Sequence, residues 1–203
     1  MAASPFHDLI DHSLSAITSL RGLEAGVAAA SAAMAGALSS GKKILCCGNG
    51  GSAAESGHLA TELLCRLDKD RRALPAVNLS GDPAFLTATA NDYTFDEVFA
   101  RQVTGLGQPG DVLVAFTTSG HSPNVLRALQ AAREKGVCSI ALLGRDGGQA
   151  VALADIALVV PVPSTMHIQE AHQVLLHILC VQIEDLLFPG LNTPPKTTSG
   201  AWI

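Results

Sequence analysis

The sequence predicts an α/β protein: a doubly wound, five-stranded parallel sheet in three αβα layers, with helical extensions at both ends. Three observations carry that expectation. Short, almost continuously apolar runs alternate with helical stretches, the pattern of a parallel sheet buried on both faces. Polar loops rich in Gly, Ser and Thr follow the first and third runs, where such sheets bind their ligands. The chain is 48% hydrophobic but only 4% aromatic and 15% charged, a composition of small and aliphatic side chains that excludes disorder for most of its length.

In order, residues 4–40 are rich in Ala and Leu and read as two helices broken near Arg21-Gly22, with Gly41 stopping the second. Residues 42–47 (KKILCC) are the first strand, and a helix runs from the glycine loop after it to about Arg66. Residues 75–79 form the second strand, with helices over 82–90 and 96–106 behind it. The third strand spans 111–116, followed by a helix over 123–135, a fourth strand over 137–142 and a fifth over 156–160. A long amphipathic helix, about 165–187, closes the fold. The expected organisation is one domain over residues 1–188, with N-terminal helices 4–40 and an α/β core 42–188. Residues 189–203, rich in Pro, Thr and Gly, are expected to form a flexible tail.

Charge and composition narrow the function. The net charge is −5, and no basic run exceeds two residues (Lys42-Lys43, Arg71-Arg72), which argues against nucleic acid as a partner. Residues 1–10 lack the pattern of a signal peptide. No apolar run approaches the ~20 residues of a membrane span, so no membrane partner is expected. Cys46, Cys47, Cys65, Cys138 and Cys180 form no C-x-x-C pattern and read as reduced core thiols of a cytoplasmic protein. The apolar surplus exceeds what one core uses, which points to an oligomer.

The loop Gly48-Asn49-Gly50-Gly51-Ser52-Ala53 satisfies G-x-G-x-x-A between a strand and a helix. A dinucleotide site also needs an acidic residue at the end of the second strand. Asp68 and Asp70 precede that strand, and Asp82 lies 34 residues beyond Gly48, so the ribose carboxylate is missing. A tight strand-to-helix turn could use the same glycines for geometry alone. The second loop, Thr117-Thr118-Ser119-Gly120-His121-Ser122-Pro123, gathers four hydroxyls at a helix N-terminus. That chemistry suits a phosphate group without a lysine, although a capped Ser/Thr turn has the same look.

On the helix after the glycine loop, His58 and Glu62 share a face. On the closing helix Gln169, Gln173 and His177 recur every four residues, with Glu170 and His172 beside them. An imidazole and a carboxylate from one helix, with an amide and an imidazole from the other, could hold a cation such as zinc or act as general acid and base. Hydrogen-bonded core histidines and a solvated H-x-x-x-E pair are the structural alternatives.

The stretches CGNGGSAAESGHLATELLCR, LTATANDYTFDEVFARQV, GDVLVAFTTSGHSPNVLRAL and VPSTMHIQEAHQVLLHILC, in this order, resemble the phosphoheptose isomerases of the sugar isomerase (SIS) superfamily over about residues 5–188. The resemblance implies interconversion of sedoheptulose 7-phosphate and D-glycero-D-manno-heptose 7-phosphate through an enediol, in a homotetramer with sites at subunit interfaces. It implies one zinc ion per subunit on His58, Glu62, Gln169 and His177, with Glu62 as general base and His177 as general acid. Substrate contacts are implied for Asn49, Gly50, Gly51, Ser52, Glu62, Asn91, Asp92 and Gln169. Thr117, Thr118, Ser119 and Ser122 join them, and Arg66 is implied to reach a neighbouring subunit's site. Three departures stand out: Thr117 where serine is usual, His121 for the asparagine of TSGNS, and a loop before Ile168 that is one residue shorter. A replication initiator-associating protein of the same fold, a tetrameric scaffold lacking the helix glutamate, is the alternative. The presence of Glu62, Gln169 and His177 favours the enzyme over that scaffold, and an isomerase of another phosphosugar is a third reading.

Overall fold

The structure, a computed structural model, describes residues 5–67 and 69–191. Helices α1 (Pro5–Ser19) and α2 (Glu24–Ser39) are joined by a 3-10 turn at Leu20–Leu23. Strand β1 (Ile44–Gly48) leads into α3 (Gly51–Leu64), and β2 (Ala76–Asn78) into α4 (Pro83–Asp92) and α5 (Ala100–Leu106). Then follow β3 (Val112–Thr117), α6 (Pro123–Lys135), β4 (Cys138–Gly144), β5 (Ile156–Val160) and α7 (Thr165–Leu187).

The five strands are parallel in the order β2-β1-β3-β4-β5. From β1 the chain moves to β2 on one side and then to β3 on the other. The strand order therefore reverses between β1 and β3, where open α/β sheets hold ligands outside their carboxyl ends. The register pairs Gly48 with Phe116, so the loops leaving β1 and β3 emerge side by side.

Every residue of β1 and β3 is buried, and their side chains alternate between two cores. Ile44, Cys46, Val112, Val114 and Phe116 face the core shared with α1, α2, α3 and α7. Leu45, Cys47, Leu113 and Ala115 face the core shared with α5 and α6. These are the helix layers expected from the sequence.

Helix limits follow local chemistry. Asp82 caps α4 by accepting from the N–H groups of Ala84 and Phe85, and Pro83 takes the first turn. Pro123 starts α6, and left-handed Gly136 ends it. Several boundaries differ from the sequence expectation. The helix expected over 96–106 is a 3-10 turn at Phe95–Glu97 followed by the shorter α5, with Val98 and Phe99 buried between them. Strands β3 and β4 run one and two residues beyond their expected ends. The 3-10 turn at Gly148–Ala152 lacked any sequence signal. Of the expected tail, 192–203 lie outside the described residues, as does Asp68.

Two further expectations need correction. The helical run Pro5–Ser39 contains a window of mean hydropathy 1.2 and is long and apolar enough to cross a membrane on length and composition. Its residues Ala16, Val27, Ala30 and Met34 instead pack into the core with Leu175 and Leu179 of α7. The cysteines are free but not all in the core: Cys46, Cys47 and Cys180 are buried, Cys138 is half-buried and Cys65 is exposed. Burial pushes the Cys47 and Cys180 thiols up to about 12, with Glu62 and Glu184 adding to the effect at Cys180, which leaves both inert.

Strand β1 starts at Ile44 rather than Lys42 because Lys43 turns to Asp111. The Asp111 carboxylate accepts from the Lys43 N–H at 3.0 Å, the Lys43 ammonium at 2.6 Å and the Gln108 N–H at 2.8 Å. Burial raises the Asp111 carboxyl, but these donors outweigh it and hold it below the usual carboxylate range. A depressed folded pKa contributes stability that is present above the unfolded value near 3.9 and is lost as pH falls through the folded value. Asp111→Asn is therefore expected to cost about 1.5–3 kcal/mol at pH 7, with the difference from wild type shrinking below about pH 4. Denaturant unfolding at pH 7 and pH 3 checks this, and an equal cost at both pH values would overturn it.

Candidate active site

Ten of the polar residues singled out on the sequence, from Asn49, Ser52 and His58 to Gln169, Glu170 and Gln173, line two adjoining cavities at the carboxyl edge of the sheet. The first, of about 280 Å³, lies at the strand-order reversal. Asn49, Gly51 and Ser52 line it from the β1 loop, and Thr117, Thr118, Ser119 and Ser122 line it from the β3 loop. Thr165 and Gln169 of α7 complete the wall with Phe116. Three helices thus begin on one cavity: α3 at Gly51, α6 behind Ser122 and α7 at Thr165. Each helix start brings the positive end of a dipole, so the cavity suits an anion although no lysine or arginine lines it.

The two loops hold each other in place. The amides of Asn49 and Asn124 exchange hydrogen bonds at 2.8 Å in both directions. The Ser80 hydroxyl donates to the Gly48 carbonyl at 2.9 Å and accepts from the Gly48 N–H at 3.2 Å. Within the second loop, Thr117 Oγ1 accepts from the Gly120 N–H and lies 3.3 Å from Ser122 Oγ. Asn124 and Ser80 were not singled out on the sequence. Asn124 carried one signal, its place one residue after Pro123 at a helix start.

The second cavity, of about 450 Å³, shares Gly51 and Gln169 with the first and is also lined by His58 and Gln173. A Cβ at position 51 would overlap the Gln169 amide, so glycine there lets α3 and α7 approach. Beside this cavity His58, Glu62 and His177 bring one ligand atom each within 4.8 Å of one another. His58 Nε2 lies 3.0 Å from Glu62 Oε1 and 3.4 Å from His177 Nε2. Gln169 is tied to this group through the cavity that it lines with His58.

These spacings fit a metal. Zinc bonds of 2.0–2.2 Å in a tetrahedron place neighbouring ligand atoms about 3.3 Å apart, close to both distances. Two imidazole nitrogens facing each other and a carboxylate also need a proton or a cation between them. The Gln173 amide offers the outer support: its Nε2 is 3.0 Å from His58 Nδ1, and its Oε1 is buried with no partner. A half-turn of that amide presents Oε1 to a protonated Nδ1, the tautomer that frees Nε2 as a ligand.

Other expected site residues lie apart from the two cavities. Gly50 forms the exposed turn at the head of α3 and does not line the anion cavity. Asn91 and Asp92 sit exposed at the end of α4, where the Asn91 amide donates to Asp92. Arg66 is exposed just beyond α3, and His121 is exposed outside the anion cavity. The buried pair of Glu55 and His172, 3.6 Å apart, was not expected to interact; His172 Nε2 also contacts the Leu143 carbonyl at 3.2 Å and so joins α3, α7 and β4.

Comparison with known proteins places the chain. The SIS domain family model matches residues 6–144. A phosphoheptose isomerase from Pelobacter propionicus is 55% identical over 148 residues, 73% of this chain and 78% of that one. The chain belongs to the phosphoheptose isomerases of the SIS family. Two solved phosphoheptose isomerases superpose closely. The one from Neisseria gonorrhoeae has a TM-score of 0.84 at 42% identity, covering 89% of this chain and 97% of its own. The one from Francisella tularensis has a TM-score of 0.85 at 38% identity, covering 89% and 96%. Membership in this family fits the cavity chemistry, since a sugar phosphate brings an anion for the three helix starts and a carbonyl for the adjoining carboxylate and imidazoles.

Proposed function

We propose that this phosphoheptose isomerase converts sedoheptulose 7-phosphate into D-glycero-D-manno-heptose 7-phosphate. The observation that carries the proposal is the adjacency of an anion cavity without cationic side chains and a His-Glu-His cluster, joined through Gly51 and Gln169. The phosphate binds the loop N–H groups and the hydroxyls of Ser52, Thr117, Thr118, Ser119 and Ser122. The sugar chain extends past Gln169 so that C1 and C2 reach Glu62 and His177.

Isomerisation moves one proton between C1 and C2 and another between O1 and O2, through a cis-enediol. Glu62 carries the carbon proton, and His177, whose Nε2 faces the cluster, exchanges the oxygen proton through Nδ1. Glu62 Oε1 faces His58, which leaves Oε2 to take the proton, so one carboxylate serves as both anchor and base. His58, Glu62, His177 and the Gln169 amide oxygen would hold one zinc ion, which when bound polarises the substrate carbonyl.

The proposal extends to the assembly. Phe6, Leu9, Ile10, Leu14 and Ile17 form an exposed apolar stripe at helical spacing on α1, and Ile178 and Val181 are exposed on α7. These faces support a homotetramer with sites at its interfaces, and the proposed location of that assembly is the cytoplasm. Asn91 and Asp92 are proposed as contacts at the rim of the site, and Arg66 as reaching into a neighbouring subunit's site.

Purified protein supplied with zinc is expected to turn sedoheptulose 7-phosphate into an aldose, and a wild type that leaves the ketose unchanged would sink the heptose assignment. His58→Ala is expected to lose bound zinc in elemental analysis; unchanged zinc content would move the ligands elsewhere.

A further inference from the structure

Helix α3 ends at Leu64 without a glycine stop, and its last carbonyls have no partners within the helix. Arg71 supplies partners to two of them, and the Leu74 N–H shares the Leu63 carbonyl at 3.0 Å. Arg71 Nη2 donates to the Glu62 carbonyl at 2.6 Å and its Nη1 to the Leu63 carbonyl at 2.8 Å, with a longer contact to Cys65. Its Nε donates to Glu184 Oε1 on α7 at 2.8 Å. The pair is sealed, with side chains only 1% and 5% exposed.

A buried ion pair is poor evidence of stability, because desolvation offsets its attraction; what it reliably does is select one geometry. Here the geometry concerns the reaction. The guanidinium is a rigid planar fork, and it grips the main chain of the residue that bears the base. Glu184 follows His177 by seven residues, two turns along the same face of α7. One side chain therefore links the backbone of Glu62 to the helix that carries His177.

We propose that Arg71, held by Glu184, is a positioning residue that sets the Glu62 carboxylate against His177 and His58. The inference rests on the isomerase reading only for the step that suffers. The metal site that the same three residues build gives it a second, independent readout.

Arg71→Lys keeps the charge but cannot grip both carbonyls and Glu184 at once. The folded variant is expected to lose about 10–100-fold in kcat and in zinc affinity, the scale of a misplaced catalytic group or a lost outer-shell support. KM for sedoheptulose 7-phosphate is expected to change by less than about threefold, because the anion cavity is built on other loops. A chelator-competition titration measures the zinc affinity, and thermal unfolding confirms the fold. If the wild type does not isomerise this sugar, the heptose assignment fails while the zinc titration still decides the positioning role. If Arg71→Lys does not fold, Glu184→Gln, which leaves Arg71 on the carbonyls, is expected to show the same pattern with a several-fold loss. A folded variant whose zinc affinity and kcat both stay within about twofold of wild type overturns the proposal. So does failure of both variants to fold, which would make the pair a stability element alone.

Discussion

Glu62→Gln is expected to lower kcat for sedoheptulose 7-phosphate by about 10²–10⁴-fold, the usual contribution of a positioned general base. The amide is the same size as the carboxylate and can still face His58, 3.0 Å away in the wild type. It cannot take a proton from carbon, and its neutral oxygen is a weaker zinc ligand than a carboxylate. Binding of the phosphate should survive, since the cavity that receives it is formed by the loops after β1 and β3 and the start of α7. Steady-state kinetics alongside binding of a non-isomerisable sugar phosphate separate the two roles. A Gln variant that keeps more than about a tenth of the wild-type kcat would remove Glu62 from the role of base.

Gly120→Ala is expected to damage both stability and phosphate binding. Gly120 has φ +66°, and a Cβ there would collide with the backbone of Gly147 and Gly148. The Gly120 carbonyl also accepts from the Ala150 N–H at 3.0 Å, which joins the Thr117–Ser122 loop to the 3-10 turn at Gly148–Ala152. The left-handed conformation alone costs an alanine about 1–2 kcal/mol, and displaced backbone brings the total to about 3 kcal/mol or more. That corresponds to a fall of about 6–12 °C in Tm for a chain of this size. Gly22→Ala is the control, because nothing lies within 4 Å of its added Cβ. Equal melting temperatures for the two variants would refute the argument.

The sheet was legible because parallel strands buried on both faces read as apolar runs, and all five strands lie where those runs predict. The anion cavity was half legible. Its two loops stood out by composition, but the start of α7 at Thr165 joins them only through the packing of α7 on α3. The cluster of His58, Glu62 and His177 was legible as helix spacing within each helix, not as a distance between helices. Arg71 was hidden for a different reason. In sequence it is half of an ordinary basic pair with Arg72, and only the path of the loop after Leu64 turns it inward. The end of the preceding helix, read as reaching Arg66, was overestimated because a side chain rather than a glycine ends it.

The order of the elements along the chain gives the site a timetable. The sheet, the glycine loop and the hydroxyl loop are all made before Thr165, whereas His177 lies 119 residues after the histidine it faces. On the ribosome, the walls of the anion cavity that come from the β1 and β3 loops are made first, while α7, which closes that cavity and carries His177, is still to come. Until α7 docks, His58 and Glu62 are an isolated pair with little hold on a cation. With the proposed zinc site, metal capture and catalytic competence would arrive together, as a late event that reports that the last helix has found its place.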